Sequence, residues 1–182
     1  MSYRIGLDLG GTKVLGVVTD SDHKVIHRKK HRLSNRADIS AVMDQVSNVY
    51  SALAERVGDE KIDSVGIALP SPVDNELGHA KHLTAFQEKE LPVRDMLKER
   101  TGVDVKLGND VNMATLAEYK FGAGKGVSSL FTFYPGTGLG GGYIYKGKLV
   151  TGFNSTAAEV GHVVIDINGP LCKCGRHGCL EA

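Results

Sequence analysis

Hydrophobic positions alternate with polar ones at the start of the chain and change to helical spacing further on. Tyr3-Arg4-Ile5-Gly6-Leu7-Asp8-Leu9 has the period of two that marks a strand. Gly10-Gly11-Thr12-Lys13 predicts a tight turn, and residues 14–19 a second strand pairing back on the first. After Asp20-Ser21-Asp22 the run 24–32 predicts a third strand, polar enough to lie at a sheet edge. The spacing of Ile39, Val42, Met43, Val46, Val49, Tyr50, Leu53 and Val57 predicts a helix over 38–57, capped by Asp38 and ended by Gly58. The apolar run 64–69 suits a buried parallel strand. Residues 70–78 predict a loop from their proline and glycine content.

The second half continues the alternation of strand and helix. Pro92 fits the first turn of a helix that reaches Arg100, with Gly102 just past its end. A strand over 103–107 leads through Gly108-Asn109-Asp110 into a helix over 111–121, which Gly122 closes. Residues 129–134 predict a strand and the glycine-rich 136–142 a turn. Tyr143, Tyr145 and Leu149-Val150 then form a hairpin over Lys146-Gly147-Lys148. The class is α/β, with a division near Phe121: a first lobe over 1–122 and a second beginning at 123–182.

Composition changes this picture little. A chain of 182 residues buries a good core as one domain, or as one domain and part of another. A net charge of +1 offers no electrostatic case for nucleic acid or membrane as a partner. No apolar run is long enough to span a bilayer and no signal segment opens the chain. Clustered thiols without a secretory segment predict a reducing, cytoplasmic setting. The 23 glycines are the unusual number, and most fall in short clusters.

Two of these clusters invite a nucleotide reading. Neither is a Walker loop, and Gly122-Ala123-Gly124-Lys125-Gly126 does not supply one. Gly136, Gly138 and Gly141 match G-x-G-x-x-G in form, but a dinucleotide site needs a helix directly after the glycines. Here a strand follows. Two glycine turns between antiparallel strands, one opening each lobe, suit backbone N–H groups that hold phosphates. Each alone reads equally as a plain hairpin turn. Asp8 beside the first and Thr137 within the second add groups suited to magnesium-bound phosphate.

All three cysteines, Cys172, Cys174 and Cys179, lie within eight consecutive positions, with Gly175 and Gly178 among them. Three thiolates and one imidazole make a tetrahedral zinc set. The alternative is three unrelated thiols, or one disulfide and a spare. His162 or His177 could be the fourth ligand. His162 is favoured because it comes from a separate segment, Glu159-Val160-Gly161-His162, which a metal would cross-link to the loop.

In order, Asp8-Leu9-Gly10-Gly11-Thr12-Lys13, Gly108-Asn109-Asp110-Val111-Asn112, Gly136-Thr137-Gly138-Leu139-Gly140-Gly141-Gly142, Glu159-Val160-Gly161-His162 and the loop from Cys172 to Glu181 resemble the ROK family of bacterial sugar kinases and sugar-responsive repressors. The resemblance implies the actin-like ATPase (ribonuclease H-like) fold with a mixed sheet, and ATP-dependent phosphorylation of a hexose or amino sugar. It implies that Asp8, Gly10, Gly11, Thr12 and Lys13 form the first phosphate motif and Gly136, Thr137, Gly138 and Gly140 the second. Asn109 and Asp110 would hold the sugar, with Asp110 activating its hydroxyl. Glu159, His162 and Glu181 would contact the sugar, and His162, Cys172, Cys174 and Cys179 would hold a structural zinc. ATP, Mg²⁺ and Zn²⁺ are the implied ligands and a homodimer the implied assembly. Family members continue past the cysteine loop, so a fragment with a truncated second lobe is expected.

Asp110 also fits a plain helix cap, Asn109 a turn residue, and Glu159 and Glu181 surface carboxylates. His23, His27, His31, His79 and His82 read as solvated or loop residues. Four positions depart from the family pattern: Ala158 and Ser71 stand where glycine is usual, Gly108 where an acidic residue is common, and Pro135 precedes the second turn. Ala158 and Ser71 are expected to reshape the sugar pocket. Two other readings stand beside the kinase. One is a sugar-sensing regulator, disfavoured because Asp8 leaves no room ahead of it for a DNA-binding helix-turn-helix. The other is a non-catalytic zinc-stabilised sugar-binding module.

Overall fold

The computed structural model of the chain describes residues 2–58 and 60–182. It divides into two compact units, one ending at Asp110 and the other running Val111–Ala182. In the first, strands β1 (Ser2–Leu9), β2 (Lys13–Thr19) and β3 (Val25–Arg32) form an antiparallel meander. Helix α1 (Ile39–Ala54) leads to β4 (Lys61–Leu69), which pairs parallel with β1. Three short strands follow: β5 (Val73–Asp74), β6 (His79–Leu83) and β7 (Glu88–Leu91). Helix α2 (Val93–Thr101) then returns the chain to β8 (Val105–Asn109), parallel to β4. The main sheet has the order β3-β2-β1-β4-β8.

The alternation of β1 buries Ile5, Leu7 and Leu9 against Val42, Met43, Val46 and Leu53 of α1, all under 5% exposed. Burying side chains of this size contributes roughly 1.5–3 kcal/mol each. Gly16 of β2 admits the helix closely: a Cβ there would meet Leu53 Cδ1 at 2.5 Å and Val49 Cγ1 at 2.8 Å. Asp38 caps α1, its carboxylate accepting from Ser40 N at 2.9 Å and Ala41 N at 3.3 Å. The helix ends at Ala54, and a turn carries the chain to Gly58, whose φ is +60°. At the far end of α2, Gly102 takes the left-handed cap with its N–H on Lys98 O. Arg100 locks the two helices, donating to Asp44 and to the Ser40 hydroxyl at 2.7 Å each. Edge strand β3 carries exposed Arg28, Lys29, Lys30 and Arg32, which discourage another strand from pairing there.

The sheet β5-β6-β7 replaces part of the loop expected over 70–78 and had no counterpart in the sequence pattern. β5 has two residues, too few for a period to register. Its turn is made by Asp74, which accepts from Glu76 N and Leu77 N at 3.0 Å each, and by Gly78 at φ +77°.

In the second unit, helix α3 (Asp110–Phe121) packs on a three-stranded antiparallel sheet, β9 (Leu130–Pro135), β10 (Leu139–Tyr145) and β11 (Lys148–Leu149). The division after Gly122 expected from the sequence assigns this helix to the first lobe. Its packing groups it with β10 from Val111 onward. Gly140 and Gly142 explain the close approach, because Cβ atoms there would run into Val111 and Thr115. Thr115 is fully buried and its hydroxyl bonds to Val111 O and Thr132 Oγ1. The glycine-rich stretch is therefore not all turn. Only 136–138 turns, closed by Gly136 N on Gly138 O at 2.8 Å, and Gly140 to Gly142 are strand. On the opposite face, Phe131, Phe133, Tyr143 and Tyr145 form an aromatic row with centroids 5.0–6.1 Å apart. A 3₁₀ turn over Val160–His162 lies across the same face at Gly141.

Candidate active site and metal centre

In the first unit the candidate residues gather at the carboxyl ends of the parallel strands. Asp8 pairs with Ala68 of β4, and Leu69 with Asn109 of β8. Two strand spacings of about 5 Å put Asp8 and Asn109 roughly 10 Å apart along one edge. Ligands of open α/β sheets lie beyond this edge. Asp8 faces away from the core, and Ala68 and Gly108 beside it are small. The neighbouring strands take part of its hydration shell, which pushes the carboxyl up, while Lys13 pulls it the other way. Gly10 N donates to Lys13 O at 2.9 Å and closes the first glycine turn. Gly11 lies against the next layer, where a Cβ would meet Ala85 Cβ at 3.0 Å. Arg36, which nothing in the sequence singled out, donates to Gly11 O at 2.8 Å and holds the turn from outside.

Asp110 opens α3 where β8 ends. The Asn109 amide donates to its Oδ1 at 3.1 Å and to the Ser71 carbonyl at 3.4 Å. The amide thus fixes one oxygen of the Asp110 carboxyl at the start of the helix. Ser71 is the second residue that sequence reasoning under-read. It is 3% exposed, and its hydroxyl accepts from His82 N at 2.9 Å and donates to Pro72 O at 2.8 Å.

In the second unit the structure brings His162 to Cys172, Cys174 and Cys179, with all four donor atoms within 4.8 Å of one another. Cys172 Sγ lies 3.6 Å from His162 Nδ1, and Cys174 Sγ 3.6 Å from Cys179 Sγ. Thiolates about 2.3 Å from a tetrahedral zinc stand roughly 3.7 Å from one another, so the set fits such an ion. His177 is turned to the Gly169 carbonyl at 3.0 Å instead. The loop is laid along 161–164 by Glu181 N on Gly161 O, Leu180 N on Val163 O and the bridge of Val164 with Cys179. Arg176 donates from backbone and side chain to Cys174 and lowers its thiol to about 6, whereas burial and the neighbouring thiols push Cys179 up to about 11.

Glu181 is held by this arrangement and Glu159 is not. Glu181 Oε2 accepts Leu139 N at 3.1 Å, and the carboxyl is held below its usual range first by that bond, then by the Cys172 thiol and His162. Glu159 stands exposed just before the 3₁₀ turn. Among the second-motif residues, Gly136, Thr137 and Gly138 form the β9–β10 turn, while Gly140 is inside β10 against Val111.

The chain is 37% identical over 179 residues to a glucokinase of Thermotoga maritima, covering 98% of this chain and 56% of that protein. Among solved structures, a ROK hexokinase from Thermus thermophilus superposes with TM-score 0.85 at 30% identity, covering 98% of this chain and 59% of the other. A ROK family glucokinase from Streptomyces griseus, in complex with glucose and AMPPNP, gives TM-score 0.84 at 32% identity, with 98% and 56% covered. The chain thus spans little more than half the length of the relatives it matches. The mixed sheet is that of the actin-like ATPase fold. No helix among the described residues is long and apolar enough to cross a membrane. The ROK family profile matches residues 4–182, and the chain belongs to the ROK family.

Proposed function

We propose that the chain carries the sugar- and phosphate-binding residues of an ATP-dependent sugar kinase acting on a hydroxyl of a hexose or amino sugar. The observation that carries the reading is the Asn109–Asp110 pair at the carboxyl end of β8, the amide holding the carboxylate at 3.1 Å. Phosphoryl transfer asks the protein for alignment, charge compensation and an acceptor for the hydroxyl proton. Asp110 is the acceptor, and Asn109 orients it and binds the sugar. Glu159, His162 and Glu181 are assigned to sugar hydroxyls. Asp8 with Gly10, Gly11, Thr12 and Lys13 is assigned to binding magnesium-bound phosphate, and so are Gly136, Thr137, Gly138 and Gly140. Magnesium, when bound, offsets the phosphate charge. His162, Cys172, Cys174 and Cys179 hold a structural zinc, which fixes the loop that ends in Glu181. Free thiols suit a cytoplasmic enzyme, and the assembly we assign is a homodimer.

The test is phosphorylation of a hexose and amino-sugar panel with MgATP by the intact protein and by Asp110→Asn. The expected result is turnover in the first and a loss of roughly 10²–10⁴-fold in the second, with sugar binding retained. An unchanged rate in Asp110→Asn overturns the role of Asp110. Sugar binding without turnover in the intact protein favours a sugar-sensing regulator.

A further inference from the structure

The side chain of Glu181 stands between the two parts of the second unit that carry candidate chemistry. Oε2 accepts the N–H of Leu139, the residue that follows the glycine turn and begins β10. Oε1 lies 3.5 Å from Cys172 Sγ and 3.6 Å from His162 Nδ1. The side chain is 14% exposed. Two glycines make room for it: a Cβ on Gly138 would approach Oε2 at 2.6 Å, and one on Gly161 at 3.0 Å. The Glu181 backbone is tied as well, its N–H donating to Gly161 O at 3.0 Å. Gly161 immediately precedes His162, and Cys179 lies two residues before Glu181. Both ends of that backbone bond therefore sit beside metal donors.

We propose that Glu181 is a positioning residue that ties the metal loop to the second glycine turn, so that metal loading fixes Leu139 N–H and the turn ahead of it. The coupling runs through the chain. An ion on His162 and Cys179 clamps the Gly161–Glu181 bond, and the clamped carboxylate holds β10 at its first residue. With the loop open, Glu181 is released and the turn loses its only side-chain anchor described among these residues. Its importance for catalysis rests on the reading of 136–138 as a phosphate turn, but the coupling itself involves neither sugar nor nucleotide.

Amide hydrogen exchange of the 182-residue chain, zinc-loaded and chelator-stripped, tests this directly. Zinc should slow exchange at Leu139 by about tenfold or more in the wild type, the scale of one gained hydrogen bond. The Val150 amide, bonded to Tyr143 O at the other end of the sheet, serves as the internal reference and should change little. Glu181→Ala should abolish the zinc-dependent difference at Leu139 while Co²⁺ still gives a tetrahedral thiolate spectrum. Glu181→Gln, which keeps an acceptor for the N–H, should preserve most of it. Equal slowing in Glu181→Ala overturns the proposal, as does a wild type that binds metal without slowing or binds none. If Glu181→Ala does not fold, Glu181→Asp replaces it: one methylene shorter, it should lose the effect, and retention of full slowing overturns the strut. Because the readout is exchange, failure here leaves the kinase reading standing, and loss of kinase activity leaves this one standing.

Discussion

The Ser71 hydroxyl accepts the His82 N–H at 2.9 Å and donates to Pro72 O at 2.8 Å, stitching the start of the 71–78 excursion to β6. The same residue's carbonyl receives the Asn109 amide. This departure from glycine is a buried group whose hydroxyl both donates and accepts a hydrogen bond. Ser71→Ala leaves His82 N–H without its acceptor, at a cost of roughly 1–3 kcal/mol. Ser71→Gly adds backbone freedom to the same loss. A urea midpoint that falls for both substitutions, and further for glycine, checks this; an unchanged midpoint in Ser71→Ala contradicts it.

Ala158 sits at φ +64°, a conformation that costs an L-residue with a Cβ roughly 1–2 kcal/mol. Its carbonyl accepts from Val160 N at 2.8 Å and lies where a Cβ on Gly141 would be, so the strain is held from both sides. Ala158→Gly relieves the strain and returns part of the gain as unfolded-chain entropy. The expected net effect is a stabilisation of about 0.5–1 kcal/mol, read as a higher thermal midpoint with the metal set unchanged. A lower midpoint would mean that the Cβ makes a contact worth more than its strain.

These two residues mark where the sequence is legible. Where one residue's own chemistry decides the outcome, as with the Asp38 cap, the Gly102 cap and the alternation of β1, the elements follow from the letters. The compact cysteine loop is of the same kind, since its glycines and thiols are neighbours in sequence. Positions decided by distant partners are opaque. Arg36 reaches Gly11 across 25 residues, and Glu181 reaches Leu139 across 42. The run Gly140-Gly141-Gly142 looks like a turn because its strand role comes from α3 and the 158–160 segment pressing on its two faces. Nothing local records that pressure.

Acid sensitivity follows from Asp74. Backbone N–H groups of Leu77 and then Glu76 hold its carboxyl below the usual range, so the folded state favours the ionised form. Its contribution is fully present above the unfolded carboxyl value and is lost as pH falls through the lower folded one. As pH falls through and below the usual carboxylate range the wild type should therefore lose stability more steeply than Asp74→Ala, measured as urea midpoint against pH. Parallel acid limbs in the two proteins would remove Asp74 from the account.

Gly175 and Gly178 separate conformation from space in the metal loop. Both have positive φ, +88° and +70°. A Cβ on Gly175 would meet nothing within 4 Å, whereas one on Gly178 would coincide with the Asp166 carbonyl oxygen. Ile165 N and Asp166 N also bond to Gly178 O, so that segment cannot retreat without breaking the ladder beside Cys179. Gly175→Ala should cost only the left-handed strain and keep a tetrahedral Co²⁺ spectrum. Gly178→Ala should displace Cys179 and weaken metal binding by about 10–100-fold or more, the range for disturbing a ligand's support. Competition with a chromophoric chelator reads the affinities, and unchanged exchange protection in α1 confirms that the first unit is intact. Equal losses in the two variants would show that backbone conformation, rather than the contact with Asp166, governs the loop.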